Sequence, residues 1–310
     1  MMQSRDHGGG IDAAAATYGG VRAAWIDLST GINPVPYPLP SLTPTSWTAL
    51  PDHTAATALT DAARRFWSVP DGADILAAPG ASALIAQIPR LMVAGTVDIP
   101  GPTYNEHAAS FAAQGWTMGT GGSAQVLVHP NNPDGRVWSR ADLSCALTVI
   151  DESFCDIAPE TSLISAATRA GTLILKSFGK FWGLAGVRLG FAIGDPAMVA
   201  QLREMLGPWP VSGTALEIGA IALSDEEWAR ETRARLAEDA SRLDALVTAR
   251  GGGVIGGTAL FRLYKVDEAV VWQDRLARHQ IWSRTFPYAS DWLRLGLPGP
   301  QDWPRVEAAL

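Results

Sequence analysis

Short apolar runs alternate with helix-patterned stretches from about Ala55 onward, and that alternation limits the fold more than any other feature. Ala55 to Trp67 has helical spacing, Ile75 to Ala78 is a short buried-strand run, and Ala81 to Met92 is helical again. Thr96 to Ile99 reads as a strand and Glu106 to Gln114 as a helix. Val126 to Val128, Leu147 to Ile150 and Thr172 to Leu175 are further strand runs without an exposed-face pattern. Strands apolar on both faces and separated by helices form a mostly parallel sheet covered on both sides. The expected class is therefore α/β. With 310 residues, 47% of them hydrophobic and 18% charged, the chain can also carry a second core.

The flanks differ in character. Residues 1–40 are rich in Gly and Pro and read as an irregular arm, residues 41–207 as the large α/β domain, and residues 208–310 as a smaller α+β domain. In that last part Glu226 to Arg250 is a long charged helix, Ala259 to Lys265 an alternating strand, Val266 to His279 a helix and Leu293 to Leu297 a strand. Asp302 is placed to cap a final helix that has Pro304 in its first turn. Gly251-Gly252-Gly253-Val254-Ile255-Gly256 fits a dinucleotide-binding pattern, but it follows a helix and precedes a strand. Phosphate recognition needs the reverse order, so the glycines read as a helix stop.

Composition removes whole classes of function. A net charge of −7 offers no electrostatic footprint for nucleic acid or an anionic membrane. No apolar stretch approaches the length of a membrane span, and Met1 to Gly10 lacks the apolar centre of a secretory signal. Two cysteines, Cys145 and Cys155, support neither a disulfide framework nor a Cys-rich metal site, so no metal is expected and the compartment reads as reducing and cytoplasmic.

Only three of the 24 basic residues are lysines: Lys176, Lys180 and Lys265. Chemistry that needs an amine is thus easily localised. Lys180 lies in Ser177-Phe178-Gly179-Lys180-Phe181-Trp182-Gly183-Leu184-Ala185-Gly186-Val187-Arg188, just past a strand, where open α/β sheets bind ligands. An amine crowded by aromatic and small residues is available for a Schiff base, and a hydroxyl and a guanidinium on either side suit a phosphorylated aldehyde. The ordinary alternative is a surface lysine in a glycine loop. Asp151 ends another buried strand and needs a cationic partner, which a protonated pyridine nitrogen would provide. Asn132 stands in a polar turn after a strand and could bond a phenolic oxygen. Pro79-Gly80-Ala81-Ser82 opens a helix whose first N–H groups form an anion site, or are simply capped. Tyr104 could stack on a flat ring.

In this order the segments resemble the fold-type I pyridoxal phosphate enzymes, the aminotransferase class I and II group, from about His7 to Gly299. The resemblance implies pyridoxal 5′-phosphate as cofactor, held by Lys180 as a Schiff base, Asp151 at the ring nitrogen, Asn132 at the ring oxygen and Tyr104 over the ring. Ala81, Ser82, Ser177 and Arg188 would hold the cofactor phosphate, and Arg294 the substrate carboxylate. His7-Gly8-Gly9 and Asp27-Leu28-Ser29-Thr30-Gly31-Ile32-Asn33-Pro34 resemble the threonine-phosphate decarboxylases of cobalamin synthesis, relatives of the histidinol-phosphate aminotransferases. That branch implies a small phosphorylated amino acid as substrate, gripped by Arg284 with His7 and Asn33 assisting, and a homodimer. Two positions depart from the relatives: Phe154 and Leu50 stand where a tyrosine is usual. The implied reaction is decarboxylation of O-phospho-L-threonine. A histidinol-phosphate-type aminotransferase is the alternative, and a non-catalytic binder of the same fold a second one.

Overall fold

The structure is a computed structural model describing residues 7–310, so the first six residues of the expected arm lie outside it. The chain forms two compact units. The small unit comprises residues 7–35, Pro133–Gly135 and Thr232–Leu310, and the large unit comprises Pro36–Asn132 and Arg136–Glu231. The arm groups with the carboxyl-terminal elements, and residues 208–231, expected in the small domain, group with the large unit.

In chain order the arm holds α1 (Ile11–Tyr18) and β1 (Ile26–Asp27). The large unit follows with α2 (Pro44–Thr48), α3 (His53–Phe66), β2 (Asp74–Ala78), α4 (Ala81–Gln87), β3 (Thr96–Asp98), α5 (Asn105–Ala113), β4 (Thr117–Met118) and β5 (Ala124–Val128). It continues with β6 (Leu147–Asp151), β7 (Thr172–Ser177), β8 (Gly190–Gly194), α6 (Pro196–Leu206) and α7 (Gly213–Ala222). Then come α8 (Glu226–Ala249), β9 (Gly253–Thr258), β10 (Phe261–Lys265), α9 (Ala269–Arg278), β11 (Ile281–Trp282), β12 (Arg284–Phe286), β13 (Ala289–Gly296) and α10 (Trp303–Ala309).

The large sheet has the order β2-β8-β7-β6-β5-β3-β4. Its ladders are parallel except that β8 runs against both β2 and β7. Every residue of β5 and β6 is buried, as the apolar runs require, and Val126, Val149, Leu173 and Leu175 form the core with Leu84, Ile85, Phe111 and Trp116 from the covering elements. The one long polar side chain within β5, Gln125, is satisfied: its oxygen accepts from the Ser144 and Cys145 N–H groups and its amide donates to Asp142.

Because β8 alone is reversed, its first residue lies at the same edge as the last residues of its neighbours. Gly190 is in register with Ala78 of β2 and with Ser177 of β7, Asp151 with Leu175, and Val128 with Asp151. The carboxyl edge therefore gathers the start of α4, the turn after β5, the end of β6 and the whole Ser177–Arg188 loop.

The small unit carries the antiparallel sheet β12-β13-β10-β9. The glycine run is a helix stop: α8 ends, Gly251 takes φ 91°, and β9 begins at Gly253. Some elements differ from expectation. The arm is not wholly irregular, because the alanine run forms α1, which buries Ile11 and Ala14 with Trp25 and Ala277. The helix expected over Ala81 to Met92 is α4 with a 3-10 turn at Ile88–Arg90, where Pro89 cannot continue an α-helix. Asp302 occupies the N-cap position of α10, but its side chain accepts no helix N–H.

Gly190 shows how tightly the edge is built. A Cβ there would stand 2.3 Å from the backbone nitrogen of Ala81. Gly190→Ala should therefore cost about 1–3 kcal/mol of unfolding free energy, the usual range for overpacking. Urea denaturation checks this, and an unchanged midpoint would contradict the close approach.

Candidate active site

One cleft at the carboxyl edge, formed wholly by the large unit, is lined by Ala81, Ser82, Tyr104, Asn132, Asp151, Ser177, Lys180 and Arg188, together with Ser153, Phe154 and Gly179. The eight residues singled out for a cofactor thus converge, although they are spread over more than a hundred positions of sequence.

Asp151 is the floor of this cleft. It is 3% exposed and ends β6. One carboxylate oxygen accepts the Ser153 N–H at 3.0 Å and the Ser153 hydroxyl, and the other lies 2.8 Å from Nε2 of His107. Burial alone would raise its pKa, but the hydrogen bond and charge of His107 and the bonds from Ser153 outweigh it and hold the group below the usual carboxylate range. The cleft therefore has a fixed negative charge beneath it, suited to a cationic ring nitrogen. His107 was not among the residues expected. Its signal was positional: it lies three residues beyond Tyr104, so both belong to one side of the start of α5. The Tyr104 and His107 rings meet edge-on at 6.0 Å.

The end of the cleft at the start of α4 is built from backbone. α4 begins after Gly80, which has φ 86° and provides no side-chain cap, so the first-turn N–H groups at Ala81 and Ser82 have no capping side chain. A Cβ on Gly80 would come 2.6 Å from Nη2 of Arg188, so only glycine lets that guanidinium approach the helix start. Arg188 itself has φ 54°, a strained value for a residue with a side chain, and its guanidinium donates to the Ala185 carbonyl at 3.1 Å. Ser177 completes this end, its hydroxyl oxygen accepting from the Gly179 N–H.

The three lysines separate clearly. Lys180 is half-buried in the cleft, with Nζ 5.3 Å from the centre of the Phe154 ring. Phe154 thus packs beside the amine and has no hydroxyl to offer. Lys176 is 2% exposed and lies 2.7 Å from Glu152 and 3.4 Å from Asp156. Burial works against its charge, but the two carboxylates prevail and push its pKa up, so it stays protonated. Lys265 is 71% exposed beside Asp291. Leu50, the other departure, is two-thirds exposed at 67% and is not part of the cleft.

The four residues expected to hold substrate lie in the small unit. Arg284 and Arg294 are cross-strand partners on β12 and β13. Arg284 donates to the His7 carbonyl, and Arg294, 5% exposed, donates to the Ser29 carbonyl. Burial, and then the like charge of Arg284, push the Arg294 guanidinium down to about 10, which leaves it charged at neutral pH. Asn33 is 2% exposed, and its side-chain oxygen accepts from the Val35 N–H and from Arg235. Among the described residues, His129, Glu152 and Cys155 stand close enough together for a metal. Their chemistry is otherwise engaged: His129 uses both ring nitrogens, on the Trp138 N–H and the Thr161 carbonyl, Glu152 faces Lys176, and burial pushes the Cys155 thiol up to about 12.

Residues 120–303 match the family described as Aminotransferase class I and II. A threonine-phosphate decarboxylase of Sinorhizobium sp is 39% identical over 94% of this chain and 92% of its own length, and one of Pseudomonas aeruginosa is 37% identical over 98% and 97%. The chain belongs to the aminotransferase class I and II family. A histidinol-phosphate aminotransferase of Symbiobacterium thermophilum is 32% identical, but over only 48% of this chain and 47% of its own. Among solved structures, the histidinol-phosphate aminotransferase of Sinorhizobium meliloti in complex with pyridoxal 5′-phosphate has a TM-score of 0.83, with 19% identity over 100% of this chain and 95% of that one. The L-threonine-O-3-phosphate decarboxylase of Porphyromonas gingivalis has a TM-score of 0.74, with 17% identity over 91% and 97%. These likenesses show the fold, an α/β large domain with a mostly parallel sheet. Family membership brings the cofactor, pyridoxal 5′-phosphate, and makes this chain an enzyme of that class. No helix among the described residues is long and apolar enough to cross a membrane.

The His107–Asp151 pair generates a prediction. Removing one partner of a buried pair costs about 3 kcal/mol. His107→Leu should therefore lose about that much at pH 7. A carboxylate with a lowered folded-state pKa stabilises fully above its unfolded value, about 4, and loses that contribution as pH falls through the folded value. The gap between wild type and variant should thus narrow in acid. Equal stability at pH 7 in denaturant titrations would contradict the pairing.

Proposed function

We propose that the protein decarboxylates O-phospho-L-threonine to (R)-1-aminopropan-2-yl phosphate, a step of cobalamin synthesis, using pyridoxal 5′-phosphate. The observation that carries this reading is the single cleft in which one amine (Lys180), one buried ionised carboxylate (Asp151) and an uncapped helix start beside Arg188 stand together. The donor set fits the cofactor at each end: a carboxylate for the ring nitrogen, and N–H groups, a hydroxyl and a guanidinium for the phosphate. The branch within the family is supported by the two relatives that span nearly the whole chain, both threonine-phosphate decarboxylases.

When bound, the cofactor draws electrons from the substrate Cα into its ring. The residues of this chain direct that pull. Lys180 supplies the amine that holds the aldehyde, and afterwards a group that can return a proton to Cα. Asp151, held ionised by His107, keeps a proton on the ring nitrogen. Asn132 donates to the ring oxygen and Tyr104 covers the ring face. Ala81, Ser82, Ser177 and Arg188 take the cofactor phosphate. Arg294 and Arg284 take the substrate carboxylate and phosphate, with His7 and Asn33 assisting. Two adjacent guanidiniums, one of them desolvated, favour a doubly anionic substrate. By fixing the orientation of the substrate, the two anchors would choose between loss of carbon dioxide and loss of the Cα proton.

Loss of the Cα proton would give an aminotransferase, the reading favoured by the partial matches to histidinol-phosphate aminotransferases. Incubation with phosphothreonine separates the two. The proposal predicts carbon dioxide and aminopropanol phosphate; keto acid with pyridoxamine phosphate would overturn it, and cofactor binding without turnover would favour a non-catalytic binder. Arg294→Ala should lower kcat/KM about a hundredfold, as loss of a charged hydrogen-bonded anchor does; an unchanged value would remove Arg294 from the substrate site. We further propose a homodimer in a reducing, cytoplasmic compartment, consistent with two free buried cysteines. Sedimentation at the single-chain mass of 32.9 kDa would contradict the dimer, and recovery outside the cytoplasmic fraction would contradict the compartment.

A further inference from the structure

Besides Asp151 and Glu152, the large unit holds a third buried carboxylate, which the reaction does not touch. Asp156 is 4% exposed. Its Oδ1 accepts the indole N–H of Trp67 at 2.9 Å and lies 3.4 Å from Lys176 Nζ, and its Oδ2 accepts the indole N–H of Trp182 at 3.1 Å. None of these residues lines the cleft. Two of them bracket Lys180: Lys176 sits on β7 one residue before Ser177, and Trp182 lies two residues after Lys180. Trp182 is fully buried and stacked between Phe178, at 5.1 Å and 11°, and Trp228, at 5.3 Å and 13°. The loop closes on itself through Gly183 N–H to the Lys180 carbonyl and Leu184 N–H to the Phe178 carbonyl.

Stacking alone fills space but leaves an aromatic ring free to slide in its plane. A hydrogen bond from the ring edge to a buried carboxylate acceptor removes that freedom. A phenylalanine at 182 would pack in the same sandwich and need no acceptor, so the indole and the carboxylate together specify position rather than burial.

We propose that Asp156 and Trp182 are positioning residues for Lys180: the indole–carboxylate bond sets the height of the Lys180 loop at the cleft and so the reach of its amine. This rests on the reading of Lys180 as the cofactor-binding amine. Trp67 provides the control. It donates to the same carboxylate with the same chemistry, but it belongs to the end of α3 rather than to the loop.

The test uses the full chain, prepared without cofactor, as Trp182→Phe and Trp67→Phe. Thermal melting of the cofactor-free proteins should show both variants lowered by a similar amount. Stopped-flow absorbance after mixing with pyridoxal 5′-phosphate should show capture slowed about tenfold in Trp182→Phe only, and kcat should fall likewise with KM within twofold. Asp156→Asn, which turns one acceptor oxygen into a donor at constant shape, should slow capture in the same direction. Capture by Trp182→Phe or by Asp156→Asn as fast as by Trp67→Phe would overturn the positioning role and leave Lys180 untouched. A wild-type chain that captures no cofactor would overturn the reading of Lys180 itself.

Discussion

β6 ends at one buried carboxylate, Asp151, and the next residue, Glu152, is another; the rest of the site is arranged around giving each of them a partner. An ionised group removed from water costs several kcal/mol unless it is paired and hydrogen-bonded. Asp151 obtains His107 and Ser153, while Glu152 obtains Lys176, the Ser162 hydroxyl and the Leu163 N–H. Both stand below the usual carboxylate range for that reason, against the opposing effect of burial. The first pair places a permanent negative charge under the cleft. The second fixes Lys176 as a cation inside the protein, which takes it out of competition with Lys180.

The backbone completes what the charges begin. Reversal of β8 brings the Ser177–Arg188 loop back to the edge it left, so that Ser177 and Arg188, eleven residues apart, face one helix start. Gly80 and Gly190 make that approach possible, since each leaves the space that a Cβ would take from Arg188 or from the Ala81 backbone. The strained φ of Arg188 is consistent with a residue whose side chain must reach that point. That end of the cleft is in this sense made by close packing of main chain, with few side chains committed to it.

The sheet and the cleft at its carboxyl edge were legible because their signals are local. Wholly apolar runs mark β5, β6 and β7, and a strand end followed by Asp, Asn or a Lys-glycine loop marks the edge where ligands bind. What was not legible depends on distant partners. β8 has an apolar run of its own, but its reversed direction is set by pairing with β2 and β7. His107 is an unremarkable helix residue until Asp151 arrives from 44 positions away. The same holds for Asp156, whose indole donors lie 89 and 26 positions from it in sequence. Asn33 could be singled out by its motif, yet its bond to Arg235 could not. The arm helix α1 was hidden by surrounding glycines, although four consecutive alanines favour it.

With only three lysines in the chain, the central claim reduces to which amine receives the cofactor. Borohydride reduction in the presence of pyridoxal 5′-phosphate, followed by peptide mass mapping, answers that directly. The account predicts a single phosphopyridoxyl mass increment on the peptide containing Lys180, with Lys176 and Lys265 unmodified. An increment on either of those lysines instead, or on none, would contradict it.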